Sequence, residues 1–171
     1  MGMWNILSSF ELTLNANNSY LGAVVMKDSL TLRDLIASKG LKVTPQRMRV
    51  LEAVFALNNH PTAENVLDYI RKRDPNIGSG TVYKVLDTLV ANNLIKKVKT
   101  ERDVMRYDGV LENHHHLYCI QCDYIEDYNN EKLDALLQEF FREHPIENFV
   151  VEELKLSING NFIVHKNKDH D

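Results

Sequence analysis

The sequence predicts an α+β protein in two parts: helices closed by a short β-hairpin, then a smaller unit of strands and one helix. Three observations predict it. Apolar residues recur at helical spacing up to residue 92 and at strand-like spacing over 94–108. Charge divides at about the same place, with 15 basic against 10 acidic residues over 27–110 and 5 against 13 over 111–171. Beyond Gly109 the character changes, and His114-His-His-Leu-Tyr-Cys-Ile-Gln-Cys122 concentrates metal-binding side chains.

At 171 residues, 44% hydrophobic and 26% charged, the chain suits one mid-sized or two small globular domains. Its only two cysteines, Cys119 and Cys122, make a poor disulfide framework and point to metal or redox chemistry in a reducing, cytoplasmic compartment. No apolar run approaches membrane-spanning length, so no membrane partner is expected. Residues 1–25 contain no Lys or Arg and lack the pattern of a signal peptide. They read as a disordered leader or a start-site artefact, with Met26 a more natural beginning. The expected division is 1–25 leader, 26–109 first domain, 110–165 second domain and 166–171 polar tail.

Taken in order, residues 29–38 predict a helix with Leu32, Leu35 and Ile36 on one face, stopped at Gly40. Thr44 caps a second helix that Pro45 opens, with Met48, Leu51, Val54 and Phe55 as its stripe. Thr62 caps a third, carrying Ala63, Val66, Leu67 and Ile70. Ser79 is expected to cap a fourth, with Val82, Val85, Leu86, Leu89 and Val90 inward, ending at Asn92-Asn93. Strands over 94–99 and 104–108 then make a hairpin. Helices followed by such a hairpin form a winged helix-turn-helix pattern, whose second helix enters the DNA major groove. Here that helix starts at Ser79, and Ser79, Thr81, Tyr83, Lys84 and Thr88 face outward, side chains suited to phosphate and base-edge contacts. The basic excess of this part agrees with an anionic partner without establishing one.

In the second part, strands over 114–119 and 124–128 flank the Cys-x-x-Cys turn, and an amphipathic helix runs from Asn130 to about His144. Residues 149–159 alternate well enough for a strand, with Gly160 turning into 162–164. Strand parity places His114 and His116 on one face, and His115 with Cys119 on the other. His60, Asp108 and Asp127 are candidate partners for the first pair, and three imidazoles with two carboxylates suit Fe(II) or Mn(II) better than tetrahedral Zn(II). Cys119 and Cys122 supply half of a zinc site, to which His165 and His170 could add. A thioredoxin-type pair would sit at a helix start, whereas this one lies between strands, so redox catalysis is set aside.

Five landmarks in order extend this reading: Val43-Thr-Pro-Gln-Arg47, His60-Pro-Thr-Ala63, Gly80-Thr-Val-Tyr83, Arg106-Tyr-Asp108 and His114-His-His-x-x-Cys-x-x-Cys122. With them the chain resembles the ferric uptake regulator family of bacterial metal-dependent repressors from about Met26 onward. The resemblance implies a homodimer with an N-terminal winged-helix domain, a C-terminal α/β dimerisation domain and a two-fold symmetric DNA operator. It implies a regulatory metal held by His60, Asp108, His114, His116 and Asp127, and DNA contacts from Arg47, Ser79, Gly80, Thr81, Tyr83 and Lys84. His60 and Asp127 make the chain most similar to the peroxide-responsive branch, in which peroxide oxidises a histidine equivalent to His60 or His114. An iron-, manganese- or zinc-uptake regulator is the alternative within the family. Outside it stand a zinc-stabilised interaction module and a metallohydrolase, for which the sequence offers no separate general base.

Two departures qualify the resemblance. Phe162 and His165 stand where many members carry a second Cys-x-x-Cys, so a four-cysteine zinc site cannot form. Leu154 stands where many carry a histidine of an additional metal site.

Overall fold

Thr44 accepts a hydrogen bond from the Arg47 amide and Pro45 occupies the first turn, so the second helix begins where its sequence directs. The computed structural model describes residues 29–58, 60–100 and 102–164. The expected leader, His165, His170 and the polar tail lie outside them.

Four helices come first: α1 (Ser29–Ser38), α2 (Pro45–Leu57), α3 (Ala63–Arg71) and α4 (Ser79–Ala91). Thr62 and Asn65 form a reciprocal capping box at the start of α3. Leu32 and Ile36 of α1, Leu51 and Val54 of α2, Val66 and Ile70 of α3, and Val82, Leu86 and Leu89 of α4 bury into one core. Ser79 does not cap α4: Gly78 holds the cap position with no side-chain bond, and Ser79 is the first helical residue. The Gly78 carbonyl already accepts from the Thr81 and Val82 amides, which puts the cap one residue before the expected position.

The wing is the antiparallel pair β1 (Lys96–Lys99) and β2 (Met105–Asp108). It starts later than expected because the Leu94 amide closes back on the Leu89 carbonyl, and Leu94 and Ile95 plug the helical core. The second part is a three-stranded sheet in the order β4-β3-β5, from β3 (His115–Cys119), β4 (Ile125–Tyr128) and β5 (Ser157–Gly160), with α5 (Glu131–Glu143) between β4 and β5.

β3 and β4 are antiparallel, whereas β5 runs parallel to β3. The strand expected over 149–159 shrinks to β5. Phe149 and Val150 stay 63% and 81% exposed, so their alternation reflects apolar residues left at the surface rather than a paired strand. Gly160 ends β5 opposite Cys119 instead of forming the expected turn. No helix among the described residues is long and apolar enough to cross a membrane.

A candidate metal centre between wing and sheet

Each element delivers its donor by local rules. The β3–β4 register sets His116 opposite Asp127, so both side chains share one face, and parity brings His114 to it. Asp108 closes β2. His60 arrives on the α2–α3 loop with a left-handed backbone, φ 48°.

Their free donor atoms converge. His60 Nε2 lies 3.1 Å from Asp127 Oδ1 and 3.9 Å from Asp108 Oδ2. His114 Nε2 lies 3.2 Å from both oxygens, and His116 Nε2 3.8 Å and 3.9 Å from them. Ligand atoms of His60, Asp108, His114 and His116 all fall within 4.8 Å of one another. Donors bound at about 2.1 Å to one ion stand about 3.0 Å apart when adjacent and about 4.2 Å when opposed, so these spacings fit a shared cation.

The polar bookkeeping fits as well. His114 Nδ1 is 3.0 Å from the Glu112 carbonyl, which assigns that nitrogen a proton and leaves Nε2 as the nitrogen that faces the two carboxylates. Asp108 Oδ1 accepts from the Val110 amide at 2.7 Å, which leaves Oδ2 free. That Oδ2, Nε2 of His60, His114 and His116, and Asp127 Oδ1 are buried with no hydrogen-bond partner among the described residues. Orphaned atoms of this kind are costly singly; His60, Asp108, His114 and His116 form a group that could hold a cation, and Asp127 Oδ1 lies outside that group but 3.1–3.9 Å from the three imidazoles.

Electrostatics agree. Burial works to lower the pKa of His114, but the neighbouring Asp108 and Asp127 carboxylates outweigh it and raise it to about 10. Burial also opposes ionisation of Asp108 and Asp127, yet the surrounding imidazoles hold both carboxyls well below the usual range. A mostly apolar cavity of about 240 Å³, lined in part by Phe55, Tyr107 and Val110, adjoins His60, Asp108 and Asp127.

His115 takes the opposite face, as parity requires. It is 1% exposed, its Nδ1 accepts from the Leu156 amide at 3.1 Å, and its Nε2 stands 3.0 Å from Asp134 Oδ1 of α5. The sequence leaves this residue without a role; an unassigned histidine with an acid four residues into a following helix is too weak a signal to pair them.

Cys119 is buried and Cys122 half-buried, and the Cys122 amide points at Cys119 Sγ, 3.5 Å away. Burial opposes ionisation of the Cys119 thiol, but hydrogen bonds from Cys122 and nearby amides bring it down to about 6. Among the described residues the pair joins no group of three or more potential ligands. Asn161 Oδ1 accepts from the Gln121 amide at 3.1 Å and stands 3.8 Å from Cys119 Sγ, closing the turn.

Ser79, Gly80, Thr81, Tyr83 and Lys84 are exposed on the first turns of α4. Thr88, also expected outward, is half-buried and bonds the Lys84 carbonyl. Tyr83 donates to Glu64 of α3, and Arg47 folds back on the Lys42 carbonyl at 2.6 Å.

The profile of the ferric uptake regulator family matches residues 38–159. The chain belongs to the ferric uptake regulator family. It is 29% identical over 135 residues to the peroxide-responsive repressor PerR of Staphylococcus saprophyticus, covering 79% of this chain and 87% of that protein. It is 36% identical over 113 residues to ferric uptake regulation protein 1 of Mycolicibacterium fortuitum, covering 64% and 68%. Its fold matches the crystal structure of the Vibrio cholerae ferric uptake regulator with a TM-score of 0.65 at 21% identity, over 76% of this chain and 98% of that one. This family carries the α+β architecture of winged helix followed by a small α/β unit, so the fold expected from the sequence holds.

Proposed function

We propose that this family member is a cytoplasmic, metal-dependent DNA-binding repressor that senses peroxide through Fe(II), and accepts Mn(II), at the centre formed by His60, Asp108, His114, His116 and Asp127. Residues 26–109 serve as its DNA-binding domain and 110–165 as its dimerisation domain. The observation that carries this reading is the gathering of orphaned donor atoms of His60, Asp108, His114 and His116 within 4.8 Å of one another, with Asp127 Oδ1 3.1–3.9 Å from the three imidazoles.

His60 and Asp108 belong to the winged-helix part, and His114, His116 and Asp127 to the sheet. Holding one cation, the five stabilise only the arrangement that brings both parts together. That arrangement spaces the two α4 helices of a homodimer to match a two-fold symmetric operator, with Ser79, Gly80, Thr81, Tyr83, Lys84 and Arg47 toward DNA. Bound Fe(II) supplies one-electron chemistry with hydrogen peroxide, which bound Mn(II) does not. Transfer of one peroxide oxygen to the imidazole ring of His60 or His114, with the other oxygen leaving as water, would put a proton on the donor nitrogen, weaken the closed arrangement and release DNA. A coupling of about 1–3 kcal/mol between metal and DNA is enough for such a switch. Similarity to the Staphylococcus peroxide-responsive repressor supports the peroxide reading; greater identity over a shorter span to the Mycolicibacterium protein favours an iron-uptake regulator as the second reading. Zn(II) at Cys119 and Cys122 requires ligands beyond the described residues.

A gel shift on the protein's own promoter, with Fe(II) or Mn(II) and before or after peroxide, tests the proposal. Binding lost with iron alone after peroxide is the expected result; binding that survives with both metals selects the iron-uptake reading. His114→Ala should abolish metal-dependent binding in a protein that still folds, and equal operator affinity with Mn(II) would refute the assignment.

A further inference from the structure

One half-buried guanidinium holds two turns of left-handed backbone beside the metal centre. Arg106 of β2 donates through Nη1 to the His60 carbonyl at 3.1 Å. Through Nη2 it donates to the Asp123 carbonyl at 2.9 Å and to Asp123 Oδ2 at 2.6 Å. The two side chains are only 12% and 7% exposed. Tyr118 completes the group by donating its hydroxyl to Asp123 Oδ1 at 2.9 Å.

Both anchored residues have left-handed backbone, with φ 48° at His60 and 57° at Asp123. That region is unfavourable for residues with a Cβ and persists where surrounding contacts over-determine it. Pro61 adds to the tension, because a proline biases its predecessor toward extended backbone. The His60 turn is therefore held against local preference, and this turn aims the imidazole at Asp127 and Asp108. The Tyr107 amide holds the adjoining Pro61 carbonyl at 2.9 Å, so β2 grips the loop at two successive carbonyls. Strand alternation puts Arg106 on the same face as Asp108. One short strand thus delivers a donor to the centre and the group that shapes a second donor's loop.

We propose that Arg106, neutralised by Asp123, is a positioning residue for the metal centre, acting through the backbone of His60 and joining the wing to the turn after Cys122. The inference rests on the metal reading above. Its mark is that the contribution of Arg106 to metal affinity disappears when His60 has no imidazole to position.

The test is Co(II) titration of the full-length protein, followed by its visible absorption spectrum, in wild type, Arg106→Gln, His60→Ala and the double variant. Arg106→Gln should weaken Co(II) binding by about 10- to 100-fold, the range usual for residues that orient metal ligands, and alter the Co(II) bands. In the His60→Ala background the same change should cost nothing further. An equal loss in both backgrounds, or no loss in the first, overturns the proposal. If Arg106→Gln does not fold, Asp123→Asn replaces it, with a smaller loss that must also vanish without His60; a loss that persists there overturns the proposal. Failure of wild type to bind Co(II), or full affinity in His60→Ala, is a separate result that removes the metal reading and this inference with it.

Discussion

His114 shows how a single side chain sets the chemistry of the centre. In the metal-free protein its imidazole is flanked by the buried Asp108 and half-buried Asp127 carboxylates, which raise its pKa to about 10. A cation can bond Nε2 only by displacing its proton. The raised pKa belongs to the metal-free state, so proton competition is strong at low pH and fades as pH rises toward that value. Metal affinity should therefore increase by about tenfold per pH unit through the neutral range. Calorimetry at pH 7.5 in buffers of different ionisation heat should find about one proton released per Mn(II) bound, and none from this source in His114→Ala. Uptake or zero release in wild type would contradict the assignment. The facing of His114 and His116 was legible from parity, a property of adjacent residues. The tautomer that frees Nε2 was not, because it depends on where the Glu112 carbonyl lies.

At the scale of elements, the joint between wing and sheet depends on a close approach. A Cβ on Gly109 would stand 2.6 Å from two atoms of the Phe55 ring on α2. Gly109 follows Asp108, so a shift here disturbs a donor as well as the packing. Gly109→Ala should destabilise the metal-free protein by about 1–3 kcal/mol, the usual cost of overpacking, and Phe55→Leu in the same chain should recover much of it. Urea unfolding in the presence of a chelator measures both, and additive effects would show that the two residues do not clash. The helices were readable because caps and apolar stripes are local signals: Thr44, Thr62 and the Val- and Leu-lined face of α4 act where they stand. The alternation over 149–156 misled because exposed apolar residues mimic a half-buried strand. Which strand β5 joins, and in which direction, is not written in β5.

At the scale of the whole molecule, the described residues leave an apolar face uncovered. No residue of α5 is buried, and Leu136 and Phe140 are 64% and 52% exposed on a strongly amphipathic helix. The proposed homodimer gives that face a partner. Leu136→Asp combined with Phe140→Asp should convert the dimer to a monomer in analytical ultracentrifugation, retain Mn(II) binding at the centre and lose most operator affinity. An unchanged mass would place the dimer interface elsewhere.

Periodicity, capping and strand parity act over a few residues, and from them the helices, the two faces of the His114–Cys119 stretch and the family landmarks could be read directly. Tertiary packing alone decided that His60 reaches Asp127 across the joint, that Arg106 and Asp123 lock that approach, and that His115 meets Asp134. These meetings join residues remote in sequence, and only the folded packing of helices, wing and sheet sets their distances.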